Sequence, residues 1–458
     1  MWIPDLLFYE NRFQTRLAVV CNSDGTIIDV VDADRASGGV RLAGRALLPG
    51  LINAHSHAFQ RVIRGRTEHR SANQTDSFWT WRELMYRAAN QLSPDDIYQA
   101  SRMAFLEMAL SGITTVGEFH YIHNDVGGRP YDDPNLLAKE VVRAASSIGL
   151  RIALLRVAYA RAGYDKESDP LQARFIEPCD AYLENVADLA LHLKESAGMA
   201  WTGVAPHSVR AVPLDYLKRV AKFALANSFP IHMHVAEQPA EVSACIEEYG
   251  RSPVALLETE GLLSSNFTAV HAIHVSAKAI KTLGSSGAGV CACPTTERNL
   301  GDGVVPVDSY FEVGTPISLG TDSQIQIDLL EDARELEYHL RLQRTQRNVL
   351  APIDDTSESA LAARLFQCAT VSGARSLGFD AGNLQPGAPA DFFSIDLGDP
   401  SIAGASASDL LSSLVFSASR AAVKDVVVAG KRIVQDGRHV AQDEVITAFS
   451  TLQKRLWG

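Results

Sequence analysis

Over residues 1–45 apolar and polar positions alternate, and β-branched runs such as "TRLAVVC" and "TIIDVV" are parted by the turn segments "NSDG" and "ASGG". Alternation broken by Gly, Asn and Asp predicts a small antiparallel sheet. After Asn383 the same texture returns, in "FFSIDLGDP" and "VKDVVVAGKRIVQDG". Two β segments at opposite ends of a chain can pair into one small domain, because termini tend to lie close together.

Between them the period changes. Short apolar runs recur, namely "TTVGEFH", "RIALLRVAY", "GVAPHS", "IHMHVAE", "TAVHAIH", "AGVCACP" and "TPISLGTDS". Stretches at helical spacing separate them, among them "SPDDIYQASRMAFLEMALSG" and "PLDYLKRVAKFALANS". Strand and helix in alternation predict βαβ units on a parallel sheet, hence the α/β class. The number of repeats suits a (β/α)8 TIM barrel, accompanied by a small β-sandwich domain built from both termini. The texture places the sandwich at residues 1–49 and 381–458, and the barrel at 50–380.

Composition narrows the partners. With 458 residues, 46% hydrophobic and 21% charged, the chain reads as a soluble globular protein with a sizeable core. Its formal charge of −12 argues against nucleic acid and against an anionic membrane, both of which select basic surface. "MWIPDLLFYENRF" has no basic leader region and meets Asp5 too early for a secretory signal. No apolar run approaches the ~18 residues of a membrane span, so a cytoplasmic location is expected. Of six scattered cysteines, only Cys291 and Cys293 in "VCACP" lie close. They lack a second pair to complete a zinc knuckle and read as small buried strand residues in a reducing compartment.

The histidines carry the chemical signal. Of 13, His69, His192, His339 and His439 fall in polar or helical contexts and read as surface residues. The others sit at the ends of apolar runs: His55 and His57, His120 and His123, His207, His232 and His234, His271 and His274. A single strand-end histidine is more often a hydrogen-bonded structural residue than a ligand. Five such ends are harder to explain that way, because in a barrel they share one mouth, where active sites sit. In "GLINAHSHAFQ", His55 and His57 point the same way from a strand, about 7 Å apart along it. A catalytic metal needs about three imidazole or carboxylate ligands and one open position. "HMHVAE" offers His234 with Glu237 three residues on, and "SLGTDS" offers Asp322, which can bind metal and accept a proton. One divalent metal is expected, zinc first, with iron or manganese tolerating the same shell.

"LPGLINAHSH", "HVAE", "VHA" and "GTDS" together resemble the amidohydrolase superfamily, in its mononuclear deaminase branch, over almost the whole chain. The resemblance implies that His55, His57, His234 and Asp322 hold the metal. "NLQPGAPADFFSIDL", with Asp391, resembles the family's return from barrel to sandwich. "WTGVAPHSVRAV" carries His207 and no lysine, unlike binuclear members with a bridging lysine near the end of the fourth strand.

More narrowly, "HSHAFQR", "DSFWTWRELMYR", "GITTVGEFHYIHND", "APHSVRAV", "HVAEQPAEV" and "CPTTERNLGDG" resemble the formimidoylglutamate deiminases. These enzymes of histidine breakdown convert N-formimino-L-glutamate and water to N-formyl-L-glutamate and ammonia. The likeness implies attack of an activated water on the amidine carbon, with Asp322, His271 and Glu237 as the catalytic side chains. Asp322 would take the water's proton, His271 steady the developing charge, and Glu237 shuttle a proton to the leaving nitrogen. Two substrate carboxylates call for cationic forks, which points to Arg82 and Arg210, with Gln60, Tyr121 and His207 as hydrogen-bond partners. Trp79 and Trp81 read as wall packing, and a homodimer is usual for such a family. Where the resemblance leads one to expect "SDSH", this chain reads "TDSQ", with Gln324 in the histidine's place. Two alternatives keep the machinery and change the substrate: another formimino or amidine compound, or a purine- or pterin-like ring. A ring pocket would favour apolar and aromatic walls with an amide. A non-catalytic scaffold would be expected to have lost metal ligands, and here all are present.

Overall fold

Eight parallel strands pair in sequence order in the computed structural model, which describes residues 1–35, 38–70 and 76–458. Ala36 and Ser37 of the expected "ASGG" turn lie outside the described residues. The strands are Leu51–Ser56, Ile113–His120, Arg151–Ala158, Ala200–Pro206, Ile231–Val235, Phe267–His271, Gly289–Ala292 and Ile317–Leu319. They are buried on both faces, as the unbroken apolar runs require once helices cover a parallel sheet. Local sequence sets the helix limits between them. Ser93 and Asp96 form a capping box that starts Pro94–Leu110, and Gly149 at φ 87° ends Leu136–Ile148.

The barrel closes at a seam between the first and eighth strands. The eighth has only three residues, and a single parallel bridge, Ser56 to Asp322, joins it to the first. Asp322 donates its backbone N–H to the His55 carbonyl and His57 donates to the Asp322 carbonyl, each at 3.0 Å. Gly320 permits this approach, because a Cβ there would lie 2.6 Å from the His55 Cβ. The seam thus brings residues from both ends of the barrel sequence to one point at its mouth.

The separate sheet draws on both termini. Val40–Pro49 pairs antiparallel with Phe392–Asp396, joining the N-terminal strands to Val423–Val428, Lys431–Gln435 and Arg438–His439. Its cluster includes Trp2, Leu7, Val19, Leu47, Phe392 and Val427, with Trp2 edge-on to Phe392 at 5.4 Å between ring centroids. The sheet is not wholly antiparallel, as the alternation suggested: Trp2–Tyr9 runs parallel to Val40–Pro49. A period of two fixes which face a residue takes and says nothing of strand direction. Asp391 marks the junction, accepting the Gly50 N–H at 3.0 Å through its carbonyl and pairing with Arg151 at 2.6 Å.

All six cysteines are free, and Cys291 and Cys293 are buried at the seventh strand. Among the described residues no helix is long and apolar enough to cross a membrane. His439 departs from the expected surface position: it is buried and its Nε2 lies 3.0 Å from the Ile148 carbonyl.

Candidate active site

His55, His57, His234 and Asp322 converge at the barrel mouth. The His55 Nε2 lies 3.2 Å from the Nε2 of both His57 and His234, and the Asp322 Oδ1 lies 3.2 Å from His57 Nε2 and 3.6 Å from His55 Nε2. Backbone carbonyls fix two of the rings. His57 Nδ1 donates to Phe119 O at 2.9 Å and His234 Nδ1 to His207 O at 3.0 Å. With those Nδ1 atoms protonated, the Nε2 lone pairs face one another, an arrangement that repels unless a cation sits among them. Burial pushes the His55 imidazole down to about 3 and holds His234 well below its usual value, so both are neutral donors. Burial would raise the Asp322 carboxyl, but the surrounding His55, His57 and His271 rings hold it well below the carboxylate range. Three imidazoles and one carboxylate are the donor set of a divalent transition metal.

A second layer faces the tetrad. His271, at the end of the sixth strand, has its Nε2 3.7 Å from Asp322 Oδ2 and 3.8 Å from Glu237 Oε1. Its ring stacks on His234 at 5.5 Å and 14°. Burial alone would lower the His271 imidazole, yet Glu237, Glu297 and Asp322 raise it well above its usual value. Burial also raises the Glu237 carboxyl, with His271 opposing and the Asp322 charge adding. Asp322, His271 and Ala236 all adopt left-handed backbone, φ 46°, 67° and 52°. Non-glycine residues in that region carry strain and cluster at sites where the chain must turn sharply to aim a side chain.

The pocket above is lined by all of the residues assigned to substrate from sequence: Gln60, Arg82, Tyr121, His207 and Arg210. Gln60 Nε2 donates to the Tyr121 hydroxyl at 2.9 Å, while its Oε1 is buried without a partner among the described residues. Arg82 projects from the helix Phe78–Ala89, whose start is fixed by the Ser77–Thr80 capping box. Its guanidinium lies 4.3 Å over the Trp79 ring and 5.4 Å from the Tyr86 ring centroid, with Nη1 buried and without a hydrogen-bond partner among the described residues. Arg210 is anchored by Nη1 to the Ala162 carbonyl at 3.1 Å. Trp79 and Trp81 form walls of the same pocket, as expected.

Several groups in and behind the pocket were not foreseen. Tyr86 lines the pocket and its hydroxyl lies 3.3 Å from that of Tyr159. Glu241, raised to about 7 by burial with the Glu237 charge adding, accepts the backbone N–H groups of Ala236 and Glu237 at 3.3 and 3.2 Å. Glu297 is buried against His271 Nδ1 at 3.2 Å. Asp302 accepts a hydrogen bond from Gln238, and burial with Glu237 adding raises it to about 9. Nothing in single-sequence spacing distinguished these acids from helix-surface ones. His123, His232 and His274 are structural, each with Nε2 2.8 Å from a backbone carbonyl. The His120 Nε2 is buried without a partner among the described residues. Gln324 is fully buried and does not line the pocket.

Comparison with known proteins follows the same lines. The amidohydrolase family model matches residues 46–433. The chain is 38% identical over 429 residues to the formimidoylglutamate deiminase of Pseudomonas aeruginosa, with 93% of each chain covered. It is 28% identical over 424 residues to a 5-methylthioadenosine/S-adenosylhomocysteine deaminase of Haloarcula marismortui, covering 91% of this chain and 88% of that one. The crystal structure of an amidohydrolase from Brucella melitensis superposes with a TM-score of 0.90 at 33% identity, covering 99% of both chains.

Proposed function

The chain belongs to the amidohydrolase family and is a C–N hydrolase, and from that premise we propose that it deiminates N-formimino-L-glutamate with one zinc ion per chain. The products are N-formyl-L-glutamate and ammonia. One observation carries the reading: a single pocket joins Arg82 and Arg210 to the His271, Glu237 and Asp322 cluster. That pairing suits a dicarboxylate bearing a reactive amidine. Guanidinium forks bind carboxylates in a bidentate way, and each charge-assisted bond contributes on the order of 2 kcal/mol.

Held by His55, His57, His234 and Asp322, a divalent metal supplies Lewis acidity and lowers the pKa of a water there to about 7. The side chains supply the proton traffic. The Asp322 carboxylate accepts the proton of the attacking water as its oxygen bonds to the amidine carbon. His271 presents Nε2 to the developing charge, its other nitrogen held by Glu297. Glu237, raised by burial, protonates the imino nitrogen as the water oxygen adds. It then takes the remaining hydroxyl proton and passes it to the same nitrogen, so that the C=O forms, the C–N bond breaks and ammonia leaves; the proton held by Asp322 restores Glu237. Gln60, Tyr121 and His207 orient the substrate between the two ends of the pocket.

The test is ammonia release from N-formimino-L-glutamate set against 5-methylthioadenosine, adenosine and N-formimino-L-aspartate, with metal content measured on the same sample. Turnover of the glutamate compound with about one zinc per chain is expected. The aromatic wall of Trp79, Trp81 and Tyr86 is what a ring substrate would use. Turnover of a nucleoside alone overturns the formimino reading and leaves the deaminase chemistry.

A further inference from the structure

We propose that Gln324 is a positioning residue that locks the Asp322 carboxylate into the ligand set, acting with Ser56 and Glu118 across the barrel seam. The inference rests on the reading of the tetrad as a metal site.

The seam has one backbone bridge, so side chains must complete it. Five buried polar groups do so in a chain whose donors all run in one direction. Asn53 Nδ2 donates to Thr321 Oγ1 at 2.7 Å, and Thr321 Oγ1 donates to Gln324 Oε1 at 3.0 Å. Gln324 Nε2 donates to Ser56 Oγ at 2.8 Å, and Ser56 Oγ donates to Glu118 Oε2 at 2.5 Å. Hydrogen bonds aligned head to tail polarise and strengthen one another, and the run ends on the Glu118 carboxyl oxygen. Glu118 is itself held by the Ala58 N–H at 2.7 Å. All five residues are 0–1% exposed.

Gln324 is the link that crosses the seam. Its Nε2 also donates to the Asp322 carbonyl at 3.0 Å, so one amide grips the backbone of a ligand and the serine lying between two others. Asp322 and Gln324 both sit in left-handed backbone, φ 46° and 62°, a geometry that needs outside support. Both amide hydrogens are engaged, the oxygen accepts from Thr321, and the pocket lining does not include the residue. A substrate role is therefore not open to it. Ligand-orienting partners of this kind typically account for 10–100-fold in metal affinity.

The experiment compares wild type, Gln324→Leu and Ser56→Ala. Zinc affinity is measured by competition with a chelator, melting temperature on the metal-free chains, and KM for N-formimino-L-glutamate at saturating zinc. Gln324→Leu should bind zinc about 10–100-fold more weakly, with added zinc restoring turnover and KM unchanged. Zinc affinity within twofold of wild type overturns the inference, even if the melting temperature falls, because the role is then only structural. A raised KM at saturating zinc overturns it in favour of substrate contact. Should Gln324→Leu not fold, Ser56→Ala removes a single hydroxyl from the chain and should weaken zinc about tenfold; an unchanged affinity has the same overturning force. A wild-type chain that binds no metal overturns the reading of the tetrad and this inference with it. Equal tight binding by wild type and variant overturns this inference alone.

Discussion

The His271 Nδ1 lies 3.2 Å from Glu297 Oε1, and that same oxygen accepts the Cys293 backbone N–H at 2.8 Å. A buried carboxyl pinned to the backbone thus fixes both the proton on Nδ1 and the tilt of a ring whose other nitrogen faces Glu237 and Asp322. Replacing Glu297 by Gln keeps the volume and removes the charge. The expected result is a fall in kcat of about 10²-fold, the scale of losing one electrostatic stabiliser, with metal content unchanged. Steady-state kinetics and metal analysis on one preparation check it; unaltered kcat would sever His271 from the chemistry.

Glu237 is assigned to proton transfer and stands outside the tetrad. Glu237→Gln should lose about 10²–10⁴-fold in turnover while retaining its metal. Metal loss in this variant would contradict the assignment, since it would make Glu237 a ligand.

Arg82 and Arg210 should act on binding more than on chemistry. Arg210→Ala, which deletes a guanidinium, is expected to raise KM by roughly 10–100-fold, the equivalent of one charge-assisted bond. Arg82→Lys keeps the charge but loses the planar fork and its stacking on Trp79 at 4.3 Å, so it should not restore wild-type KM. Unchanged KM for N-formimino-L-glutamate in both variants would remove the carboxylate assignment.

Glu241 gives a pH signature. Its folded carboxyl titrates at about 7 against an ordinary 4.5, burial being the main cause. Between those two values the folded chain holds a proton that the unfolded chain has released, so stability falls as pH rises through that window. The loss is on the order of 3 kcal/mol and constant above it. Glu241→Gln cannot titrate. Its melting temperature relative to wild type should therefore climb between pH 5 and pH 8, by calorimetry at fixed metal concentration. An equal offset at both pH values would show that the group is ionised throughout.

The parts of the tetrad were legible locally, since His55 and His57 share a strand face and His234 and Asp322 sit where apolar runs stop; the resemblance to the amidohydrolases joined them into one ligand set. The strand–helix alternation likewise follows from period, and it led directly to the barrel. What escaped notice depends on packing between distant segments. Glu297 lies in the first turn of Pro294–Leu300, where an acid is ordinary as a partner of the helix dipole, and only the fold places His271 against it. Glu118 occupies a strand interior, a position that reads as an error until Ser56 and Ala58 are brought to it. His439 looked exposed because its neighbours in "DGRHV" are polar; a helix 291 residues away in sequence buries it.

The seam also sets when the centre can exist. Ser56 and Gln324 are 268 residues apart, and the histidine pair, met by His234 from the fifth strand, lacks its carboxylate until the eighth strand emerges. At roughly 5–20 residues per second of synthesis, a nascent chain carries His55 and His57 for on the order of ten seconds or more before Asp322 is made. The full donor set proposed for the metal therefore comes together only when the last strand of the barrel has docked.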